Sequence, residues 1–504
     1  MTATLPGIEV RNPVDGTVVG TVANQAPEVV ADTARALRRH QPAWEALGPD
    51  GRATWLRRYR DWLLDNAERI ADVVAAESGK PRAEAVVEVP AICEVLNYYA
   101  DNAATFLADE RVKPSGVLSL AKKLTLVRQP YQLVGVITPW NFPVITPGFD
   151  VVPALLAGAA VLLKPSEVTP LSALEMARGW REIGAPEVFA VVTGAGDTGQ
   201  ALVDNVDYVQ FTGSTRTGQR VAHRAVDRMI PYSLELGGKD PAIVLADADL
   251  DRAVPGIAWG ALFNAGQACV SVERVYVEAP IYDEFVARLT EVVGKLRQGA
   301  DAGGFTVDVG AMTTEAQRDI VVRHVDDALT RGAKATVGGK PTGPGLFLEP
   351  TVLIDVDHSM SCMREETFGP TIPVVKVADA AEAVRLANDS AYGLSATVWT
   401  RDIARGVQIA RRLEAGAVNI NDAAANLFAT TLPHGGWKSS GTGARLGGAH
   451  GLRKYTRAKA ITVPRVSALK REPLWFPYTA RRIRFVQKAF QFIAAHDVRR
   501  WVRL

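Results

Sequence analysis

The sequence predicts an α/β fold built on a parallel sheet with helices on both faces. Three observations predict it. Four β-rich runs, residues 133–138, 160–164, 188–193 and 208–212, end at Pro139, Pro165, Gly194 and Gly213. Helical patterning separates some of them, over residues 172–184 and 199–205. A second α/β stretch runs from about residue 241 to 436. Strands alternating with helices imply parallel pairing through crossover connections. Ligands in such sheets bind beyond the carboxyl ends of the strands, where these Gly, Pro, Ser, Thr and Asn clusters fall.

Element by element, residues 12–20 read as a hairpin turning at Asp15-Gly16. Residues 26–108 carry helical periodicity, with Arg and Glu outward and Leu, Val and Ala inward. The apolar stretch 133–163 is interrupted by four prolines and three glycines, so it reads as buried strands and turns, not a membrane span. The last forty residues differ. From residue 465 onward there are ten Lys/Arg against two acids, interleaved with Trp475, Phe476, Tyr478, Phe485, Phe490, Phe492 and Trp501. Residues 481–504 fit an amphipathic basic helix.

Composition excludes several classes. With 504 residues, 47% apolar and 22% charged, wholesale disorder is ruled out and two to four domains are expected. A net charge of +2 argues against nucleic acid as the main partner. Cys93, Cys269 and Cys362 are too few and too scattered for a disulfide framework, and no pair has C-x-x-C spacing, so no metal site is expected. This usage suits a reducing compartment. The N-terminal segment has no basic start followed by an apolar run, which leads to the expectation of a cytoplasmic protein.

Five motifs can carry chemistry. Gly194-Ala-Gly196-Asp-Thr-Gly199 spells G-x-G-x-x-G, yet no acid stands at the usual ribose-binding distance, so it is either a phosphate loop or a tight turn. Phe211-Thr-Gly213-Ser-Thr-Arg-Thr-Gly218 opens a helix, where glycines admit a ligand and the N-terminus attracts phosphate; Ser214 and Thr215 either donate or cap. Lys164-Pro-Ser-Glu167 is either a solvated ion pair or a grip on ribose hydroxyls. Asn264-Ala-Gly-Gln-Ala-Cys269 holds a cysteine that is either an inert core residue or a nucleophile. Glu235, between Leu234 and Leu236 and ahead of Gly237-Gly238, is either a partly buried base or the partner of Lys239. G-x-S-x-G, H-E-x-x-H and Walker signatures are absent from the sequence.

Together, Pro139-Trp-Asn-Phe-Pro143, Lys164-Pro-Ser-Glu167, Phe211-Thr-Gly-Ser-Thr215, Leu234-Glu-Leu-Gly-Gly-Lys239, Gly266-Gln-Ala-Cys269, Glu365-Glu-Thr-Phe-Gly-Pro370 and Gly435-Gly-Trp-Lys-Ser-Ser-Gly441 resemble the aldehyde dehydrogenase superfamily, in order and spacing, over residues 10–463. The resemblance implies a Rossmann-like doubly wound cofactor domain (1–118 and 132–237), an α/β catalytic domain (238–440) and a small β oligomerisation element (119–131 and 441–464). Residues 465–504 form a tail beyond it. It implies that the Cys269 thiolate attacks an aldehyde, that the Asn141 amide and the Cys269 N–H stabilise the oxyanion, and that Glu235 activates the water that hydrolyses the thioester. A carboxylate at Glu235 points away from the coenzyme-A-dependent branch.

By the same resemblance, Trp140 and Ser214 look like pyrophosphate or backbone contacts, Lys164 and Glu167 like the grip on the adenosine ribose, and Glu366 and Phe368 like the pair that positions the nicotinamide ribose and ring. Thr138, Ser166, Gly213, Gly218 and Leu236 complete the cofactor side, and the Gly194 turn becomes a decoy. Glu167 favours NAD, with NADP left open because Arg216 is near. Phe142, Phe263, Ala268, Val270 and His434 are expected at the substrate pocket; His434 either makes it more polar or is packed and hydrogen-bonded. Ser271 stands where the cytosolic succinate-semialdehyde enzymes often place a second cysteine, so a disulfide switch is not available there, and Arg274 is too widespread in the family to mark a carboxylate-bearing substrate. The implied assembly is a homodimer or homotetramer. The tail then packs on a neighbouring subunit, lies on an anionic membrane surface, or is loosely ordered. Rival readings are a succinate-semialdehyde or related semialdehyde dehydrogenase, a non-catalytic binding or structural member, and a thioesterase-like hydrolase.

Overall fold

The computed structural model describes residues 7–301, 303–443, 447–465, 472 and 474–495. The chain divides into two compact units, one of Met1–Phe106 and Pro130–Tyr455, the other of Leu107–Gln129 and Thr456–Leu504.

In the larger unit, the N-terminal hairpin pairs Ile8–Arg11 with Val18–Val22, turning through Gly16 at φ 75°. The helical region resolves into Pro27–Ala46, Gly48–Asp65, Ala67–Ser78, Arg82–Ala85 and Glu88–Leu107. Pro27 sits where the first helical turn needs no N–H donor, and Gly79 ends the third helix in the left-handed conformation at φ 76°. Trp44, Tyr59 and Trp180 pack edge to face, and the Trp44 indole donates to the Leu155 carbonyl at 2.9 Å.

The four expected strands form at Leu133–Ile137, Ala160–Lys164, Phe189–Val191 and Tyr208–Thr212. With Tyr232–Glu235 they make a parallel sheet. Numbered along the chain, their spatial order is 5-4-1-2-3, and Gly441–Thr442 adds an antiparallel edge beside Tyr232–Glu235. The order reverses between Leu133–Ile137 and Tyr208–Thr212, so a crevice opens at their carboxyl ends. Gly135 is needed in the first strand, because a Cβ there would lie 2.4 Å from Leu202 Cδ2 on the helix packed above.

A second sheet of seven strands is centred on Asp240–Val244 and Val272–Glu278, parallel except for its edge Lys334–Val337. Ile243 and Tyr276 feed one apolar core, while Ala242, Val244, Val275 and Val277 feed the other. This period-two alternation with both faces covered explains the near-continuous apolar runs.

The smaller unit holds a three-stranded sheet in the order Thr456–Pro464, Lys122–Pro130, Glu110–Val112, and a helix Ala480–Ala495. Its bounds differ from the β element expected at 119–131 and 441–464. Residues 441–455 belong to the larger unit, because Gly441 pairs with Glu235 and the Tyr455 hydroxyl donates to buried Asp150 at 2.9 Å. The expected helix over 481–504 is seen to Ala495, and 496–504 lie outside the described residues. Among the described residues, no helix is long and apolar enough to cross a membrane.

Candidate active site

A cleft occupies the reversal point of the first sheet. Trp140, Asn141, Phe142, Gly213, Ser214, Leu236, Cys269, Glu366 and Phe368, expected from sequence, all line it, together with Pro139, Thr146, Thr212, Gly237, Gln317 and Ile320. Thr138, Lys164, Ser166, Glu167, Gly218, Glu235, Phe263, Ala268, Val270 and His434 lie outside its lining.

Cys269 sits in the loop between helix Leu250–Leu262 and strand Val272–Glu278. Three successive left-handed residues, Asn264, Ala265 and Gly266, turn this loop, with φ 53°, 54° and 73°. Such backbone is costly for Asn and Ala and persists only when surroundings fix it. Here they do. The Asn264 N–H donates to Glu84 Oε1 at 2.8 Å, and its side-chain amide donates to the carbonyls of Asn141 and Gln267 at 2.9 and 3.1 Å. Gln267 Oε1 accepts from the Thr313 N–H at 2.9 Å. At Gly266 a Cβ would lie 2.2 Å from the Gly369 carbonyl oxygen, so only glycine fits.

The Asn141 amide donates to the Gln267 carbonyl at 2.8 Å, which aims this side chain at the cysteine loop. Its Oδ1 is buried with no hydrogen-bond partner. Cys269 is half-buried, whereas Cys93 and Cys362 are buried, their thiols pushed up by burial to about 12 and about 11. Only Cys269 combines exposure with a cleft. Ala268 and Val270, on either side, are buried, and the Ser271 hydroxyl donates to the Ala261 carbonyl at 3.0 Å.

Glu235 ends its strand with 2% exposure. It is not the partner of Lys239, whose ammonium donates to Glu273 at 2.6 Å and Thr367 Oγ1 at 3.1 Å. Glu273 in turn accepts from the N–H groups of Thr367 and Phe368, both at 2.8 Å. That pair, with Gln317 donating to the Thr367 carbonyl, holds Phe368 at φ 51° and places its ring edge-on to Trp140, centroids 5.5 Å apart. Glu366 accepts from the Gly238 N–H at 3.1 Å, and burial, with Glu273 nearby, raises its carboxyl to about 8. A Cβ on Gly237 would strike Glu366 at 2.2 Å.

On the far side, Lys164 is buried and its ammonium lies 3.3 Å from the half-exposed Glu167. Burial lowers the Lys164 pKa, and Glu167 opposes that. Ser166 is buried and accepts from the Val168 N–H at 3.2 Å; Thr138 is buried with its hydroxyl unpartnered. Gly218 lets Leu236 pack at the helix start, since a Cβ would lie 2.4 Å from Leu236 Cδ2. The G-x-G-x-x-G turn is filled by the chain itself. Thr193 N–H donates to Gln25 Oε1 at 2.7 Å, Ala195 N–H to Asn24 Oδ1 at 3.3 Å, and the Thr198 hydroxyl to the Gln25 carbonyl at 2.9 Å.

The family model described as "Aldehyde dehydrogenase family" matches residues 2–461. The chain belongs to the aldehyde dehydrogenase family. It is 42% identical over 484 residues to a Mycobacterium ulcerans protein provisionally named succinate-semialdehyde dehydrogenase [NADP(+)] 2, covering 95% of this chain and 91% of that protein. It is 40% identical to a 4,4'-diapolycopene aldehyde oxidase of a Methylomonas species, covering 96% and 91%. The solved NAD-dependent aldehyde dehydrogenase of Sinorhizobium meliloti superposes with a TM-score of 0.88 at 37% identity, covering 94% and 93%.

Within this aldehyde dehydrogenase, His434 is buried, with Asn426 Nδ2 3.4 Å from its Nδ1, so it is packed and hydrogen-bonded. Phe142 and Phe263 lie 6.1 Å apart, and Trp259 stacks on Phe263 at 4.9 Å. Arg274 is fully buried and donates to the carbonyls of Lys239, Leu386 and Ala387. Sequence reasoning missed one buried pair beside the site. Lys80 contacts Glu88 at 2.6 Å, donates to the Asn141 carbonyl at 2.9 Å, and lies 4.2 Å from the Phe142 ring centre. Glu88 also accepts from the N–H groups of Val144 and Ile145 at 3.0 and 3.1 Å. The available signal was Glu88 flanked by Val87 and Val89 and Lys80 held between Gly79 and Pro81.

Proposed function

We propose that this chain oxidises an aldehyde to a carboxylic acid with NAD or NADP. The observation that carries the reading is the convergence of Cys269, Asn141, Glu366 and Phe368 on one cleft at the sheet's reversal point. The residues fit a nicotinamide dinucleotide. Thr138 presents a buried, unpartnered hydroxyl at the end of the strand, and Lys164 and Glu167 stand beyond the neighbouring strand. When bound, the dinucleotide supplies the hydride acceptor.

In this reading the Cys269 thiolate attacks the aldehyde carbon, and the second Asn141 amide hydrogen and the Cys269 N–H face the oxyanion. Loss of hydride from that adduct to the acceptor would leave a thioester on Cys269, and Glu235 takes a proton from the water that cleaves it, releasing the acid and the thiolate. Trp140 and Phe368 would wall the nicotinamide end, and Glu366 would accept a hydrogen bond from its ribose. Residues 1–118 and 132–237 form the cofactor domain, which also lends Asn141 and Glu235 to the chemistry, and 238–440 the catalytic domain that carries Cys269. Glu167 favours NAD, because a carboxylate accepts from a 2′ hydroxyl and repels a 2′ phosphate; the mycobacterial relative is named for NADP(+).

The name of that relative also supports succinate semialdehyde as a second reading of the substrate. Against a carboxylated substrate, the described cleft lining contains no Lys or Arg, and Arg274 is committed to carbonyls. A homodimer or homotetramer, in the cytoplasm, is part of the proposal. It is supported by the nine-residue strand Thr456–Pro464, which is exposed along most of its length at the edge of its sheet.

The test is NADH and NADPH formation with short, aromatic, long-chain and carboxylated aldehydes, using wild type and Cys269→Ala. Turnover lost in the variant supports the reading. No reduction of either cofactor by a folded protein that binds NAD would sink it in favour of a non-catalytic member.

A further inference from the structure

Charge is divided unevenly along this nearly neutral chain. Residues 107–129 and 456–504, the smaller unit, carry 17 Lys/Arg against 4 Asp/Glu, a net +13. The remainder carries 40 against 51, a net −11. The whole-chain value of +2 conceals this.

The described end of the smaller unit concentrates that charge with apolar surface. Helix Ala480–Ala495 places Arg481, Arg484 and Lys488 on one arc, and Ile483, Val486, Phe490 and Ile493 on another, each at helical spacing. No acid occurs between Leu474 and Ala495. Ahead of the helix, Trp475, Phe476 and Tyr478 are 56%, 75% and 58% exposed, and Phe485 is 63% exposed. The Arg482 guanidinium donates to the carbonyls of Trp475 and Pro477, which ties the aromatic segment to the helix start. The Phe476 and Tyr478 rings lie 4.6 Å apart. An apolar patch of this kind on a soluble surface marks an interaction site.

We infer that this face docks on an anionic lipid bilayer, with the helix lying in the interface. Charge complementarity selects the occupant. A segment rich in Lys and Arg and poor in Asp and Glu is attracted to phosphate-bearing headgroups, and interleaved Trp, Tyr and Phe partition at the headgroup level. The helix has 16 residues and carries four cations, so it lies on the surface and does not span. The inference is independent of the proposed reaction.

The test is co-sedimentation of the full chain with vesicles of phosphatidylcholine alone and of phosphatidylcholine mixed with phosphatidylglycerol. Binding is expected only to the mixed vesicles, weakening as salt rises. Arg481→Ser/Arg484→Ser/Lys488→Ser should weaken it by about 100-fold, and Trp475→Ser/Phe476→Ser should weaken it on its own. Turnover of a water-soluble aldehyde, or for an inactive chain the melting temperature, reports that each variant is folded. Equal binding to neutral vesicles, or none to either, overturns the inference. So does a loss of oligomer mass in the triple variant without any vesicle effect, which assigns the face to a second copy, or retention by single-stranded RNA in place of vesicles.

Discussion

Replacing Lys80 by Met should destabilise the protein more than replacing Lys80 and Glu88 together. Both side chains are 0% exposed, and their charges are 2.6 Å apart. Lys80→Met leaves the Glu88 carboxylate buried, held only by the N–H groups of Val144 and Ile145. Breaking a buried pair on one side costs about 3–5 kcal/mol. Unfolding entropy of about 2.1 cal/mol/K per residue gives a chain of 504 residues about 1 kcal/mol per degree, so the melting temperature should fall by about 3–5 °C. In Lys80→Met/Glu88→Gln the stranded charge is gone and the Gln carbonyl still accepts a backbone N–H, so roughly half of the loss should return. Scanning calorimetry at one fixed heating rate compares the three proteins. The reasoning fails if Lys80→Met melts within about 1 °C of wild type, or if the double variant melts below the single one. Because Lys80 also holds the Asn141 carbonyl, kcat of the single variant should fall while dinucleotide affinity is kept.

Asn141→Ala should lower kcat by about 10²–10³-fold with unchanged NAD affinity by fluorescence quenching; unchanged kcat would remove Asn141 from the oxyanion role. Gly238→Ala would set a Cβ 2.5 Å from the Cys269 carbonyl oxygen, so steady-state turnover should collapse as the cysteine loop shifts, and wild-type activity would contradict that. Iodoacetamide should label Cys269 before Cys93 and Cys362, whose thiols burial holds at about 12 and about 11; peptide mass mapping reads the order. Burial raises the Glu77 carboxyl from 4.5 to about 7, against hydrogen bonds from Ser172 and Leu171. Its protonated form therefore stabilises the fold fully below about 4.5, and that contribution, about 3 kcal/mol, is lost as pH rises through about 7. The melting temperature of wild type relative to Glu77→Gln should fall across that window, and a flat difference would contradict the shift.

Much of the architecture was legible because it depends on local pattern. The four strand runs, the hairpin at Gly16 and the helical N-terminal region follow from periodicity and turn residues, and each forms close to where expected. The resemblance of the dispersed motifs then named part of the cleft, including Asn141, Cys269, Glu366 and Phe368, but not Thr146, Gln317 or Ile320, which lie outside every motif. Residues 194–199 show the limit of local reading. They spell a phosphate loop, but Asn24, Gln25 and Thr198 fill the turn, a contact between segments about 170 residues apart. Lys239 shows the same limit at short range, since it stands four residues from Glu235 yet binds Glu273.

The sequence by itself determined the strands, the order of the motifs and the membership of the family, because periodicity, turn chemistry and residue identity are written along the chain. Only the tertiary structure decided which charges pair. Lys80 with Glu88, Lys239 with Glu273, and Arg274 with its three carbonyls are set by which buried groups approach within hydrogen-bonding distance after the sheets form. A buried charge must find a partner wherever the fold supplies one, and sequence separation carries no information about that distance.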